Sequence, residues 1–490
     1  MGRSRDLRSW IEKLEVEGEF RRVTVKVDCD GEIQEIARRM VAQGGMKATG
    51  GPAVLFENIE GHEHTWCKKL FVGSMNNLGR FALMLSLPKT TALPVLVQKL
   101  RETLRNPIEP IPVQTGPVKE NIVRGEGIDL YEIPVPLWHP LDGGRYINTW
   151  GGIVTKDPES GAYNVGCYRG MITDKNRISV LLIPSQGWGI HYGKYQALGK
   201  PMPVACVYGW DPSLVFTASN PVTTISEYEW MGSIMQEAVP LVKCETIDLE
   251  VPASAEIVVE GTISPDPATY DIEGPFKDVS GAYSEAKKKP VIDVSCITYR
   301  NDPLYTGTAT GITPVPEEQL LVTAVGTAPI LLNALEDEGV PGVLEITLAP
   351  FLCVKIRKAF QGHAKQVAAA LFGHKALSFP FKVLIVVEED VNIHDPAAVI
   401  RAINENADPA RDVYVFPMER AIVDRSLPPE ALDEDQYGIG LGSKLLIDAT
   451  VNWAAHPKRG EWGMKRVPPK DSPPPEMVEK VKKRWEEYGF

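Results

Sequence analysis

The stretch "YDIEGPFKDVSGAY" (270–283) sets two carboxylates, Glu273 and Asp278, five residues apart on a turn built around Gly274 and Pro275. Glycine and proline keep such a segment out of regular helix or strand. The two acids therefore either face solvent, as loop acids commonly do, or converge on one cavity as a paired acid and proton donor. A second segment, "YNVGCYRGMI" (163–172), offers an amide, a small residue and a cation. On a strand, Asn164, Gly166 and Tyr168 share one face while Cys167 and Arg169 take the other. A bend at Gly166 would let Asn164 and Arg169 serve one pocket; an unbroken strand would leave Arg169 exposed at its end. A third segment, "YGIGLGSK" (437–444), either cradles a phosphate with backbone N–H groups and the Lys444 ammonium or is a plain tight turn. His139 and His191 stand in aromatic, glycine-rich loops ("PLWHPLDGG", "GWGIHYGKY"), where a histidine is either a hydrogen-bonded structural residue or part of a site.

Other chemistries lose support. The chain has no GxGxxG after a strand, no GxSxG and no kinase motif set, and its eight histidines form neither HExxH nor an i, i+4 pair. Dinucleotide dehydrogenation, serine hydrolysis, nucleotide hydrolysis and zinc hydrolysis are therefore disfavoured. A net charge of −12 argues against a nucleic-acid partner, which needs a basic face. No stretch approaches eighteen apolar residues, so no membrane span is expected, and the start has no signal-peptide core. Seven cysteines, at 29, 67, 167, 206, 244, 296 and 353, are scattered singly, which fits a reducing, cytoplasmic setting with buried thiols.

With 490 residues, 43% hydrophobic and 24% charged, the chain is long enough for two or three domains. Its opening reads as an amphipathic helix with Leu7, Trp10, Ile11 and Leu14 on one face. Residues 1–105 alternate helical patterns with the strand candidate "PAVLFENI", and "NPIEPIPVQTGP" (106–117) reads as a linker or crossing loop. From about 118 to 310, strand candidates follow in quick succession ("INTWGGIVT", "ISVLLIP", "VACVYG", "EIVVEGTI", "VIDVSCITY"), as in a barrel or sandwich, interrupted by the helical "SEYEWMGSIMQEA". "PEEQLLVTAVGTAPILLNALE" predicts a long apolar helix. A second α/β unit follows, and "PPPEMVEKVKKRWEEYGF" predicts a capping helix. The aromatics of "PLWHPLDGGRYINTW" and "PSQGWGIHYGKY" either wall a binding site or pack the barrel core.

Taken in order, "YNVGCYR", "ISEYEWMGSIMQEAVPLVKCETIDLEVPASAEIVVEG", "EGPFKDVSGAY", "FQGHAKQV" and "LGSKLLIDAT" resemble the UbiD family of reversible decarboxylases, which use prenylated FMN; the resemblance runs over essentially the whole chain. It implies an α+β multidomain fold. An N-terminal α/β unit (1–117) would precede a central FMN-binding split β-barrel (118–315). A C-terminal α/β oligomerisation domain (316–455), joined by a long helix, and a helical tail (456–490) would follow.

By the same resemblance Asn164 and Glu227 hold a divalent metal, Mn2+ or Mg2+, bridging to the cofactor phosphate, and K+ is a further candidate ion. Hard oxygen ligands suit either divalent metal. Some members have a histidine ligand directly after the glutamine, where this chain has Gly187. Cys167, Tyr168, Arg169, Leu181, Leu182, Ile183, Gln186, Gly187, Ser219 and Pro221 match cofactor-binding segments, and Lys444 matches the phosphate-facing lysine. The catalytic group implied is Arg169 paired with Glu273, plus Asp278 as proton donor. An arginine–carboxylate pair keeps both partners ionised, while a drier pocket would raise the second acid so that it carries a proton at neutral pH.

The implied reaction is decarboxylation, or its reverse, of an aromatic or α,β-unsaturated acid through a covalent substrate–cofactor adduct. A small non-aromatic phosphorylated acid is an alternative substrate. A non-catalytic flavin- or metal-binding subunit of a larger carboxylase is an alternative role, against which the complete Arg/Glu/Asp set argues. Expected partners are a flavin prenyltransferase of the UbiX type, as cofactor supplier, and further copies of the chain in a homodimer or homohexamer.

Overall fold

The computed structural model describes all residues except 1–2, 43–49, 280, 312–317, 349–350, 378–380, 421–425, 428–440, 465, 467–472 and 490. At its centre is an eight-stranded antiparallel sheet. Its path runs Tyr163–Gly166, Gly152–Lys156, Met202–Tyr208, Ile257–Ile263, Val291–Tyr299, Arg177–Val180, Gly170–Asp174, with Asn121–Arg124 also paired to Val291–Tyr299. The two ends of this path are consecutive in sequence. Four Cα steps from Gly166 to Gly170 reach at most about 14 Å, whereas flat strands would hold the two edges about 29 Å apart. The sheet must therefore curl back on itself, and residues 167–169 lie at the seam.

Four strands on one side, Phe20–Val23, Ala53–Phe56, Lys69–Val72 and Leu304–Thr306, form a mixed sheet. Its last member comes from beyond the barrel strands and pairs in parallel with Lys69–Val72. The N-terminal unit is thus completed by a late segment, which local pattern could not reveal. The predicted linker is also more ordered than expected. Ile111–Val113 pairs in parallel with Pro240–Lys243 at the edge of a three-stranded sheet, a place where Pro112 costs no ladder bond.

In the C-terminal part, Val343–Thr347, Leu352–Ile356, Val383–Glu388, Leu441–Asp448 and Val413–Arg420 form a five-stranded mixed sheet. The helices His363–Phe372 and Pro396–Asn406 pack against it.

The predicted amphipathic first helix is Leu7–Val16. It buries Leu7, Trp10, Ile11 and Leu14 and is opened by an Asp6/Ser9 capping box. Its core is continuous with that of the long helix Glu318–Asp337 and the inner face of the C-terminal sheet. That long helix is apolar and long enough, by length and composition, to cross a membrane, and most of it is buried inside the protein. It is a core helix that the eighteen-residue rule overlooked, because single polar residues interrupt its run. The tail helix Pro475–Lys483 forms as expected but buries none of its residues, so it caps nothing among the described residues.

Glu318, the first residue of the long helix, is 2% exposed. Its carboxylate accepts from the Met75 N–H and from Thr308 Oγ1 at 3.1 Å. Burial outweighs these bonds and pushes the group up to about 7. A carboxyl raised on folding favours the folded state most fully below its unfolded value, and that contribution is lost as pH rises through the folded one. Glu318→Gln removes the titration. The variant's thermal midpoint is therefore expected to gain on that of wild type between roughly pH 4.5 and 7; a gap that stays constant over that window would contradict this assignment.

Candidate active site

The Gly274–Pro275 turn leaves the short strand Asp271–Glu273, which pairs with Lys287–Lys289. Gly274 has φ +97°, and a Cβ there would stand 2.4 Å from the Glu285 carbonyl, so only glycine fits. The turn drives the Glu273 side chain inward, where it is 1% exposed. Arg169, at the seam of the curled sheet, meets it: Nη2 donates to Glu273 Oε2 at 2.8 Å and to Ser284 Oγ at 3.2 Å. Tyr146 donates its hydroxyl to Glu273 Oε1 at 2.8 Å, so both carboxylate oxygens are held. The guanidinium also lies 5.3 Å from the centroid of the Phe276 ring. The bend expected at Gly166 is present. A Cβ there would meet the Tyr168 ring at 2.2 Å, so the ring folds back over the glycine.

Two chambers meet behind these residues. The smaller, about 140 Å3, is lined by Arg169, Phe276, Asp278, Leu181, Asn148 and Thr310, among others. The larger, about 230 Å3, is lined by Asn164, Glu227, Ser219, Pro221, Gly187 and Lys375, among others. Cys167, Tyr168, Ile183, Gln186, Val279 and Gln319 belong to both and form the waist between them. Asp278 is buried and its backbone is pinned in a tight loop, N–H to Ala282 O at 3.0 Å and C=O from Gly281 N–H at 2.8 Å. Neither acid of the opening turn faces solvent: Asp278 lines the smaller chamber, while Glu273 holds Arg169, which lines it too.

In the larger chamber Glu227 opens the helix Glu227–Met235, whose Ser226/Glu229 capping box fixes the first turn. Its Oε2 accepts the Val165 N–H at 3.1 Å, and burial pushes the carboxyl up to about 7 despite the nearby Lys375 charge. Asn164 Oδ1 accepts the Tyr168 hydroxyl at 3.2 Å. Buried Asn164 Nδ2, Ser219 Oγ and Arg169 Nε have no hydrogen-bond partner among the described residues. Unpaired buried polar atoms around an open volume are what a polar ligand would satisfy. Among the described residues no group of three or more His, Cys, Asp or Glu gathers to hold a metal. A cation at Asn164 and Glu227 would draw its remaining ligands from outside this set.

Two expected contacts are placed elsewhere. Leu182 packs into the core while its neighbours Leu181 and Ile183 line the chambers, as alternation along extended backbone requires. Lys444 is buried in the strand Leu441–Asp448, donating Nζ to the Leu377 carbonyl, with the Phe372 ring 5.6 Å away. It bonds the short 3-10 turn Lys375–Leu377, and among the described residues the lysine that lines the chamber is Lys375. The first part of the glycine-rich segment 437–444 lies outside the described residues. His191 is buried with Nδ1 2.9 Å from Thr155 Oγ1 and is not a lining residue. His139 bonds Thr310 O and Gln34 as a structural residue. The tryptophans Trp138, Trp150 and Trp188 pack in the cores, so they wall no site.

Residues that the sequence did not single out are Lys375 and Tyr146, together with Asn148, Thr310 and Gln319 on the walls. None carries a local signature; Tyr146 meets Glu273 across more than a hundred residues of chain.

Three family models match in chain order: the N-terminal domain of 3-octaprenyl-4-hydroxybenzoate carboxy-lyase over residues 11–100, its Rift-related domain over 111–313 and its C-terminal domain over 323–449. An uncharacterised protein of Synechocystis sp. is 33% identical, covering 99% of this chain and 96% of its own. Among solved structures, the closed form of vanillic acid decarboxylase from Sedimentibacter hydroxybenzoicus superposes with TM-score 0.85 at 28% identity, over 99% of this chain and 98% of that one. An evolved dimeric form of the UbiD-class enzyme HmfF from Pelotomaculum thermopropionicum, in complex with prFMN, gives 0.75 at 29% identity, over 91% and 95%.

Proposed function

The chain belongs to the UbiD family of carboxy-lyases, and on that premise we propose that it catalyses the reversible, non-oxidative decarboxylation of an aromatic or α,β-unsaturated carboxylic acid with prenylated FMN. The observation that carries this reading is the Arg169–Glu273 pair with Asp278 on one chamber, joined through a common waist to a second chamber holding Asn164, Glu227 and Lys375. We read the curled sheet as the split barrel of this family.

The unpaired Asn164 and Ser219 atoms and the Lys375 cation fit a phosphate-bearing group. Asn164 and Glu227 would hold Mn2+ or Mg2+ beside that phosphate, and Tyr168, Ile183 and Gln186 would flank the ring at the waist. When bound, prenylated FMN supplies the electron sink that decarboxylation needs. The chain's residues do the rest. Arg169 is the one cation among the described residues lining the smaller chamber, so it receives and orients the substrate carboxylate. Glu273 and Tyr146 keep its guanidinium fork in place. Phe276, Leu181 and Ile183 give the acid an apolar wall and keep water out. Asp278 delivers the proton to the carbon that has lost CO2. The cofactor would come from a separate flavin prenyltransferase.

Gly187 gives a direct test of the metal end. A Cβ at this position would lie 1.8 Å from Asn164 Oδ1. Gly187→Ala must therefore push the amide away, and Mn2+ affinity by titration calorimetry is expected to fall about 10–100-fold. Unchanged affinity would remove Asn164 from the metal site.

The reading as a whole is tested by co-expression with a flavin prenyltransferase, followed by the cofactor's mass and visible spectrum. CO2 release would then be measured from a panel of hydroxybenzoic acids that includes vanillic acid. Bound flavin of prenylated mass with release from at least one acid supports it. Protein that stays colourless with Mn2+ present would end it.

A further inference from the structure

The turn that carries Asp278 is held from behind by a closed ring of hydrogen bonds that the catalytic assignment does not use. Asp142 Oδ1 accepts the Lys277 N–H at 3.0 Å, and its Oδ2 accepts the His139 N–H at 3.1 Å. Thr310 Oγ1 donates to the Lys277 carbonyl at 2.7 Å. His139 Nε2 lies 2.6 Å from the Thr310 carbonyl. A carbonyl only accepts, so Nε2 carries the proton and Nδ1 accepts from Gln34 Nε2 at 2.9 Å. Burial holds the His139 ring down at about 4, which keeps it in this neutral form. The backbone of Lys277, the residue preceding Asp278, is therefore clamped through both its N–H and its C=O, and the two clamps are tied together through His139.

The backbones agree with this. Gly143 N–H donates to Pro275 O at 2.8 Å, and a Cβ on Gly143 would stand 2.1 Å from the Gly274 carbonyl oxygen. The loop 139–143 thus lies flat against the acid-bearing turn.

We propose that Asp142 is a positioning residue for proton delivery, acting with His139 and Thr310 to fix the peptide that presents the Asp278 carboxyl to the substrate chamber. The proposal rests on the decarboxylase reading above. Both acceptor oxygens of Asp142 are committed to backbone donors of two different loops. An amide in its place must aim NH2 at one N–H, and an alanine strands both. Misplacing a reacting group by about 1 Å costs on the order of 100-fold in rate.

Asp142→Ala, Asp142→Asn and Thr310→Val would each be compared with wild type in two ways. The first is amide hydrogen exchange over residues 273–284, on protein with and without cofactor. The second is the split of kcat and KM for the best acid of the panel. Faster exchange across the turn is expected in all three variants, most in Asp142→Ala. In that variant kcat is expected to fall about 10–100-fold, with KM and flavin occupancy changed less than about twofold, and Asp142→Asn should lie between it and wild type. Unchanged exchange overturns the proposal whatever the activity. So does a fall in kcat that is matched by flavin loss, which would mark a merely structural role. Looser turns in the variants of a protein that turns over no acid would leave the clamp standing and sink the decarboxylase reading instead.

Discussion

Arg169→Ala is expected to lower CO2 release by roughly 100- to 1,000-fold, the usual cost of deleting one preorganised electrostatic contact to a reacting group. The argument rests on burial as much as on charge. The guanidinium is 12% exposed and its partner Glu273 1%, so neither ion has water to fall back on. Removing the arginine leaves the substrate carboxylate without its cation and Glu273 with Tyr146 as its remaining partner among the contacts described here. Breaking a buried pair from one side destabilises by about 3–5 kcal/mol, so the variant's unfolding midpoint should also fall. Arg169→Lys separates the two effects. It retains a charge but loses the planar fork, and is expected to recover stability more than rate. An alanine variant that keeps more than a tenth of wild-type turnover would remove Arg169 from the chemistry.

The second large effect is expected at Asp278. Asp278→Asn keeps the size and much of the hydrogen-bonding capacity of the side chain but has no acidic proton to give. Positioned proton transfer contributes about 100- to 10,000-fold, so turnover should fall within that range while the unfolding midpoint, KM and flavin occupancy change little. Asp278→Glu restores an acid on an arm longer by one methylene and is expected to regain part of the rate. Near-normal turnover by Asp278→Asn would mean that another group supplies the proton.

Much of the site was legible before the structure because its signals are local. A glycine and a proline between two acids specify a turn whatever surrounds it; at Gly166 the sequence left a bend and an unbroken strand both open, and the structure shows the bend. The helical stretch that begins at Ser226 could be read from its pattern, whereas its cap and the burial of Glu227 came with the structure. The resemblance then assigned roles to residues that these elements had already gathered into a few segments.

What failed had no local signal. Lys444 and Lys375 are both single lysines beside apolar runs, and only the parallel pairing of Val383–Glu388 with Leu441–Asp448 buries the first. Leu304–Thr306 falls inside the stretch expected to be the barrel, yet it pairs with a strand more than two hundred residues earlier.

The sequence by itself therefore determined a strand-rich centre between two α/β stretches and the turn that carries the two acids, because turn chemistry and side-chain period act over a few residues; the partnership of that turn with Arg169 came from the family resemblance. Only the tertiary structure decided which lysine reaches the chamber, that Tyr146 holds the second oxygen of Glu273, and that Asp142 clamps the turn from behind. Those contacts depend on strand register and loop packing between segments far apart in the chain, where the energy of a pairing belongs to both partners and neither stretch encodes it alone.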